Sequence, residues 1–220
     1  MRIQVANQDI ELLPEKAFIW HAEHLLALSD VHLGKADSYQ AAGVPIPSGS
    51  HREDLERISQ LIHKYQIGKV VILGDWIHNR HSLSEIVLRD LHEFFTVLKE
   101  VHWTLLLGNH EKGVHDLMRD LPFHLVEEEI QMGPFLMTHG HKNPNSVLFQ
   151  IRGHIHPQVR MSQGPLSLRL PCFVLEKNCL TLPAFGSLTG GFLIKPQSTN
   201  QVFAIGGNEI FEVASNSSKK

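Results

Sequence analysis

Only two cysteines, Cys172 and Cys179, occur in the 220 residues. With no export signal ahead of them they are expected to be reduced core thiols, and thiolate metal sites, which need clustered cysteines, are excluded. Residues 1–9 lack the basic end and long apolar stretch of a signal peptide, and no later apolar run approaches the length of a membrane span. The expectation is a cytoplasmic protein without membrane contact. Neither sign of charge dominates: 20 Lys and Arg against 23 Asp and Glu leave a formal charge of −3. That balance argues against broad, non-specific binding of polyanions, so any contact with nucleic acid has to be local. No linker or internal repeat divides the chain, and residues 1–214 are expected to form one domain, with 215–220 a disordered tail.

What the chain does have is histidine, 16 in all, and one construction used five times. Leu25 to Leu28 runs into Ser29-Asp30-Val31-His32, and residues 70–73 run into Gly74-Asp75-Trp76-Ile77-His78. Residues 105–107 end in Gly108-Asn109-His110-Glu111, residues 135–137 in Thr138-His139-Gly140-His141, and residues 147–151 lead to Gly153-His154-Ile155-His156. Each reads as a short buried strand whose end delivers Asp, Asn or His, and in open α/β sheets ligands bind at the carboxyl ends of strands.

Around these motifs the apolar pattern gives a coarse architecture. Residues 2–28 read as strands joined by hairpins. The loop 34–49 is expected to be extended, because Pro45 and Pro47 block a helix. Ser50 and Glu53 have capping-box spacing ahead of Leu55, Ile58, Leu61, Ile62 and Tyr65, with Gly68 as the stop. Ser82 and Glu85 repeat that spacing ahead of Val87, Leu91, Phe94, Phe95 and Leu98. Residues 25–107 therefore read strand, helix, strand, helix, strand, with parallel pairing. From residue 127 the pattern changes to short strands at 134–138, 147–151, 166–170, 172–175, 179–182, 191–194 and 202–205. They are expected to form a second, mixed or antiparallel sheet packed on the first.

The strand ends collect Asp30, His32, Asp75, Asn109, His110, His139, His154 and His156. Oxygen and imidazole donors together suit borderline divalent ions such as Mn²⁺, Fe²⁺ or Zn²⁺. In Asp30-x-His32 and His154-x-His156 the period of two puts both side chains on one face of an extended backbone. Eight donors exceed what one ion needs, so two metals sharing a ligand fit the count better. Two ions about 3.5–4 Å apart serve in-line displacement at phosphate esters. Gly74, Gly108, Gly140 and Gly153 allow the backbone to turn sharply beside the ligands.

These five motifs, in this order, resemble the blocks of the calcineurin-like metallophosphoesterase superfamily. The resemblance implies an α/β fold, a four-layer sandwich of two mixed β-sheets flanked by helices. It also implies two divalent ions, Mn²⁺ first with Fe²⁺ or Zn²⁺ as alternatives. By position, Asp30, His32 and His156 look like ligands of one metal, Asn109, His139 and His154 of the other, and Asp75 like the bridge. His110 falls on the non-ligating catalytic histidine, and His78 on a position near the substrate. The habit of His followed by Gly favours His139 over His141. A narrower likeness is carried by Leu33-Gly34-Lys35, residues 42–49, Leu170-Pro171-Cys172-Phe173, and Leu182-Pro183-Ala184-Phe185-Gly186 with Thr189-Gly190-Gly191. These resemble the bacterial ligase-associated DNA damage response endonuclease (PdeM-like) family, which implies a DNA substrate and repair proteins as partners.

Lys35, Arg80, Lys112, Lys142 and Arg152 lie within a few residues of a block and are candidates to meet a phosphate backbone, against the alternative of solvated surface charges. Trp76 and Trp103 flank strand ends and are expected in the core or at the rim, against the alternative of stacking on a base, and the histidines outside the blocks in structural roles. The resulting reading is a metal-dependent phosphodiesterase or endonuclease. The rivals are a phosphodiesterase or phosphatase of small or cyclic nucleotides, and a non-catalytic protein-binding scaffold, which the presence of Asp75 and His110 disfavours.

Overall fold

A computed structural model describes residues 1–47, 49–111, 114–141, 146–163 and 165–214. Lys112, Lys142 and the tail at 215–220 lie outside the described residues. Seven strands make the first sheet in chain order: β1 Arg2–Val5, β2 Gln8–Leu13, β3 Ala17–Trp20, β4 Leu25–Leu28, β5 Lys69–Ile72, β6 His102–Leu106 and β7 Phe123–Val126. The first four form an antiparallel meander, and β4 to β7 run parallel. Parallel strands need long crossovers, supplied here by α1 Lys35–Ala41 with α2 Ser50–Tyr65, and then by α3 Glu85–Val97.

Continuous apolar runs in β4 and β5 reflect burial of both faces. Leu26, Leu28, Val70 and Ile72 point to a cluster shared with Leu55, Ile58, Leu61 and Ile62 of α2 and Val87, Leu91, Phe94 and Phe95 of α3. Leu25, Ala27, Val71 and Leu73 point the other way, into a second cluster with Phe135, Met137, Ile151, Phe173, Leu180 and Phe203. Each of these Val, Leu, Ile, Met and Phe side chains, when fully buried, stabilises the fold by roughly 1.5–3 kcal/mol. Trp76 and Trp103 both belong to the first cluster.

The second sheet has nine strands. Its main path runs β14 Phe192–Ile194, β11 Pro157–Gln163, β12 Leu166–Glu176, β13 Cys179–Thr181, β10 Phe149–Arg152, β9 Phe135–Thr138 and β8 Glu129–Met132. β15 Asn200–Gly206 pairs with β12, and β16 Glu209–Val213 with β15. Parallel pairs β9–β10, β10–β13 and β11–β14 make the sheet mixed. The result is an α/β sandwich of two mixed sheets flanked by helices. Cys172 is buried and both cysteines are free thiols; burial pushes the Cys172 thiol up to about 12, so it is inert. No helix among the described residues is long and apolar enough to cross a membrane.

Several local expectations are corrected. The loop 34–49 opens with helix α1, because the prolines lie beyond its end and residues 35–41 contain neither Pro nor Gly. Neither capping box forms. Gly49 precedes α2 with φ +98° and no side-chain cap. Ser84, not Ser82, caps α3 through its Oγ, which accepts from the Val87 N–H. Ser82 is occupied in the 3-10 turn Arg80–Ser82 that Asn79 caps. The expected strands 166–170 and 172–175 are one strand, β12, which passes through Pro171 where its pairing moves from β11 to β15. A short helix, α4 His115–Met118, follows the third block.

Candidate metal centre

All five motifs emerge from the carboxyl ends of strands: Asp30 and His32 after β4, Asp75 after β5, Asn109 and His110 after β6, His139 after β9, and His154 and His156 after β10. The backbone continues the parallel pairing past the strands, since the amides of Asp30, His32 and Leu33 donate to the carbonyls of Gly74, Asp75 and Trp76. Two sheets thus aim their ends at one place.

Ligand atoms of Asp30, His32 and His156 lie within 4.8 Å of one another, as do those of Asp75, His139 and His154. A third group holds His32, His78 and His110. In the second group the tautomer can be argued. His139 Nδ1 donates to the Leu73 carbonyl at 2.7 Å, so its Nε2 carries a lone pair. That lone pair faces Asn109 Oδ1 at 3.1 Å, His154 Nδ1 at 3.1 Å and Asp75 Oδ2 at 3.5 Å. In the first group His156 Nε2 is 3.1 Å from Asp30 Oδ1, and His32 Nε2 is 3.7 Å from Asp75 Oδ2. Donor–donor separations of this size are the polyhedron edges expected for metal–ligand bonds of about 2.0–2.2 Å.

The polar accounting points the same way. Asp30 Oδ1, both ring nitrogens of His32, and His156 Nε2 are buried without a hydrogen-bond partner. Leaving a buried polar group unpaired costs about 1–3 kcal/mol. Burial pushes His32 down to about 2 and lowers His154 too, so both rings are held neutral, as ligation requires. Burial raises the carboxyl of Asp30, but the close approach and charge of His156, then the charge of His139 and the hydrogen bond from Ser29, overcome it and hold the group below the usual carboxylate range. The donor set therefore fits a divalent cation.

The backbone is strained where the donors sit. Asp30, His32, Asp75, His154 and His156 have φ of +56°, +51°, +52°, +72° and +46°. Such conformations cost roughly 1–3 kcal/mol each and persist only where the surroundings impose them. Two glycines make room. A Cβ at Gly108 would collide with the Asp75 carboxylate, and one at Gly153 with Ser29 Oγ and Asp30 Oδ2.

Two groups that sequence reasoning left without a role hold these loops. Glu111, buried, accepts from the amides of Gly108 at 2.8 Å, Asp75 at 3.0 Å and Ile77 at 3.2 Å, tying the second block to the third. Its signal was available, as the acidic residue directly after His110. The second group lies behind the Asp30 loop. Phe185 and Gly186 donate their amides to the carbonyls of Ser29 and Asp30, so the segment Ala184-Phe185-Gly186-Ser187 is the backing of the first block. Arg57 donates to the Phe185 carbonyl at 2.6 Å and stacks on its ring at 4.1 Å, Asp54 accepts from the Ser187 amide at 3.1 Å, and Lys16 donates to the Gly186 carbonyl at 3.2 Å. This is where the narrower sequence likeness around Phe185 falls in space.

His110 sits beside the donors. Its Nδ1 donates to the His78 carbonyl at 2.5 Å, and its Nε2 is 3.8 Å from Asp75 Oδ2. The ring stacks on His78 with centroids 5.3 Å apart. Burial, then the charge of Lys35, pushes His78 down to about 4. His141 packs 5.4 Å from His139 and outside the two donor groups that contain Asp75 or Asp30. Of the basic candidates, Arg80 pairs with Asp116 and Arg152 with Glu176 and Thr181. Lys35 is half-buried close to His32 and His78.

Two mixed sheets flanked by helices, with this cluster at their strand ends, match the arrangement of a metallophosphoesterase sandwich. Among solved structures the chain is similar to the nuclease MPE of Pseudomonas putida, with 29% identity and a TM-score of 0.81 over 97% of this chain and 99% of that one. That likeness is consistent with a metallophosphoesterase of the PdeM-like kind. A phosphoesterase of E. coli, Yfce, is similar at 18% identity over 87% of this chain and 99% of that one, with a TM-score of 0.44. No protein-family model and no curated protein matches the sequence.

Proposed function

We propose that the chain is a two-metal phosphodiesterase that cuts nucleic acid, DNA in the first place. The observation that carries this reading is the convergence of the buried, partnerless donor atoms of Asp30, His32 and His156 with the ligand atoms of Asp75, His139 and His154, Asn109 lying beside His139. Similarity over nearly the whole chain to a protein described as a nuclease supports the substrate class. The openness of the site supports a polymer over a small nucleotide: Asn109 is exposed, and the His110 and His156 side chains are 32% and 21% accessible. A place in DNA repair, repair proteins as partners and a cytoplasmic location extend the reading from the motif resemblance.

Asp30, His32 and His156 would hold one ion, Asn109, His139 and His154 the other, and Asp75 would lie between them. Divalent ions there, Mn²⁺ first, supply Lewis acidity toward water and phosphoryl oxygen. The chain's own groups do the rest. His139 is locked by the Leu73 carbonyl with Nε2 outward, and Glu111 fixes the turns that carry Asp75 and Asn109. His110, locked through Nδ1 by the His78 carbonyl, presents Nε2, and in its imidazolium form, with a proton on each ring nitrogen, it gives the Nε2 proton to the departing sugar oxygen, which leaves poorly as an alkoxide. His78, neutral near pH 7, orients His110 and borders the substrate.

The test is purified protein with Mn²⁺ or with chelator, offered single-stranded DNA, duplex DNA, RNA and cyclic nucleotides. Metal-dependent internal cleavage of DNA, weakening steeply with salt, is expected. Turnover of cyclic or small nucleotides without cleavage of polymers overturns the reading in favour of a small-nucleotide phosphodiesterase.

A further inference from the structure

Helix α1 follows the first metal block directly and brings two side chains to the His110 side of the site. From Tyr39, which is 37% exposed, a row of rings leads inward. Tyr39 lies 6.3 Å from His78, His78 stacks on His110 at 5.3 Å with an interplanar angle of 27°, and His110 is 4.7 Å from His32. Lys35 Nζ is 6.0 Å from the centre of the Tyr39 ring. Among the described residues no carboxylate pairs with Lys35, whereas Arg80 and Arg152 are both engaged with acids. Its positive charge bears instead on His32 and His78. The helix is held in place: Asn79 donates to Ser38 Oγ at 2.9 Å and Ser84 donates to Asp37 at 3.1 Å. An exposed aromatic face and an unneutralised cation are thus fixed side by side, one ring beyond the histidine that serves the leaving group.

Resting on the nuclease reading above, we infer that Lys35 and Tyr39 form a nucleotide seat on the leaving-group side, where Lys35 meets the phosphate neighbouring the scissile one and Tyr39 stacks on a base. Stacking on a side chain requires a base freed from its own helix, so the seat selects single strands over duplex. Every base has a π-face, so it confers strand selection without sequence preference.

Single-stranded oligonucleotides with one cleavable linkage separate this role from a structural one. The set carries an abasic unit at each flanking position in turn, and wild type, Tyr39→Phe, Tyr39→Ala and Lys35→Ala are compared with Mn²⁺ present. Tyr39→Ala is expected to raise KM roughly 10-fold with kcat within about twofold, the usual worth of one stacked base, while Tyr39→Phe stays near wild type. One abasic position on the leaving-group side should reproduce that loss in wild type and add nothing in Tyr39→Ala. Lys35→Ala should lower the salt slope of binding by about 1. Equal losses for Tyr39→Ala on intact and abasic strands mean that the ring only supports His78, and overturn the seat. So does a Tyr39→Ala variant that cuts intact strands like wild type. A wild type inert toward every nucleic acid overturns the nuclease reading together with the seat, a pattern distinct from either.

Discussion

Two regions of this molecule bury ionisable groups on opposite sides of the Ser29-Asp30 loop, and they treat them in opposite ways. On the site side, Asp30 Oδ1, His32 and His156 Nε2 are buried with no hydrogen-bond partner, on a backbone pushed to positive φ. Behind the same loop, Asp54, Arg57 and Lys16 are also largely buried. There each charge finds a partner, in the Asp54–Arg57 pair at 3.4 Å and in the Phe185, Gly186 and Ser187 backbone. Burial of charge alone therefore says little about function. Unpaired burial on a strained backbone marks the place where something from outside is to be bound, and paired burial marks the frame that imposes the strain.

The sharpest way to break that contrast is to remove the central carboxylate. Asp75 lies near His32, His110 and His139, at 3.7, 3.8 and 3.5 Å. Asp75→Ala is expected to lose about 10⁴-fold or more in kcat and to bind less than the full complement of metal, while exposed His92→Ala changes neither. Equal metal in Asp75→Ala and wild type, measured by elemental analysis, would sink the bridging assignment.

A smaller effect separates chemistry from ligation inside the site. His110→Asn should keep near-normal metal content and lower kcat by roughly 10² to 10⁴, the range of general acid catalysis. The loss should shrink for a p-nitrophenyl phosphodiester, whose leaving group needs no proton. Equal losses on activated and natural esters rule against the acid role, and loss of metal would make His110 a ligand.

The two regions also differ in how far they can be read from sequence. The donors were legible because each is delivered by the same local device, a buried apolar strand that ends in Asp, Asn or His. The frame was not. Asp54 and Arg57 sit in the run Ser50-His51-Arg52-Glu53-Asp54-Leu55-Glu56-Arg57, which reads as the solvated side of an amphipathic helix, and their backbone partners at Ser187 and Phe185 lie more than 120 residues away. Helix α1 was missed because Pro45 and Pro47 were allowed to speak for the whole loop before them. Strand β12 was split at Pro171, whose missing N–H matters little where the strand changes partners. The strand-end motifs and the parallel order of β4, β5 and β6 were visible; the distant side-chain pairing of the frame was not.

The frame can be loosened without touching a donor. Arg57→Met keeps the apolar stem but strips the Phe185 carbonyl of its donor and Asp54 of its cation. Losing one member of a buried pair costs about 3–5 kcal/mol. With the Arg57 side chain 28% exposed, about 2 kcal/mol is the fairer expectation, a fall in Tm of roughly 4–8 °C. If the frame positions Asp30, metal affinity should fall about 10-fold as well, while kcat at saturating Mn²⁺ stays near wild type. A drop in Tm with metal affinity untouched would confine Arg57 to stability.

Lys16 is the weakest member of the frame, and its contribution should appear as a pH dependence. Burial, then the charge of Arg57, pushes its ammonium down to about 8, with Asp54 opposing. The unfolded chain restores the ordinary value near 10.4. Between those two pH values the unfolded state binds the proton more readily than the folded one, so stability from this group rises with pH across the window. Below about pH 8 both states are protonated and the full cost of burying the charge is felt; above about 10.5 it is gone. Lys16→Met removes that titration together with the single hydrogen bond to Gly186, and near pH 7 the two losses should leave the variant within about 1 kcal/mol of wild type. From pH 8 to 10.5 wild type should then gain on the variant, as read from denaturant midpoints at equal m-value. Parallel stability curves through that window would mean that Lys16 keeps its charge in the folded protein as easily as in water, and that the frame tolerates a buried ammonium at no cost.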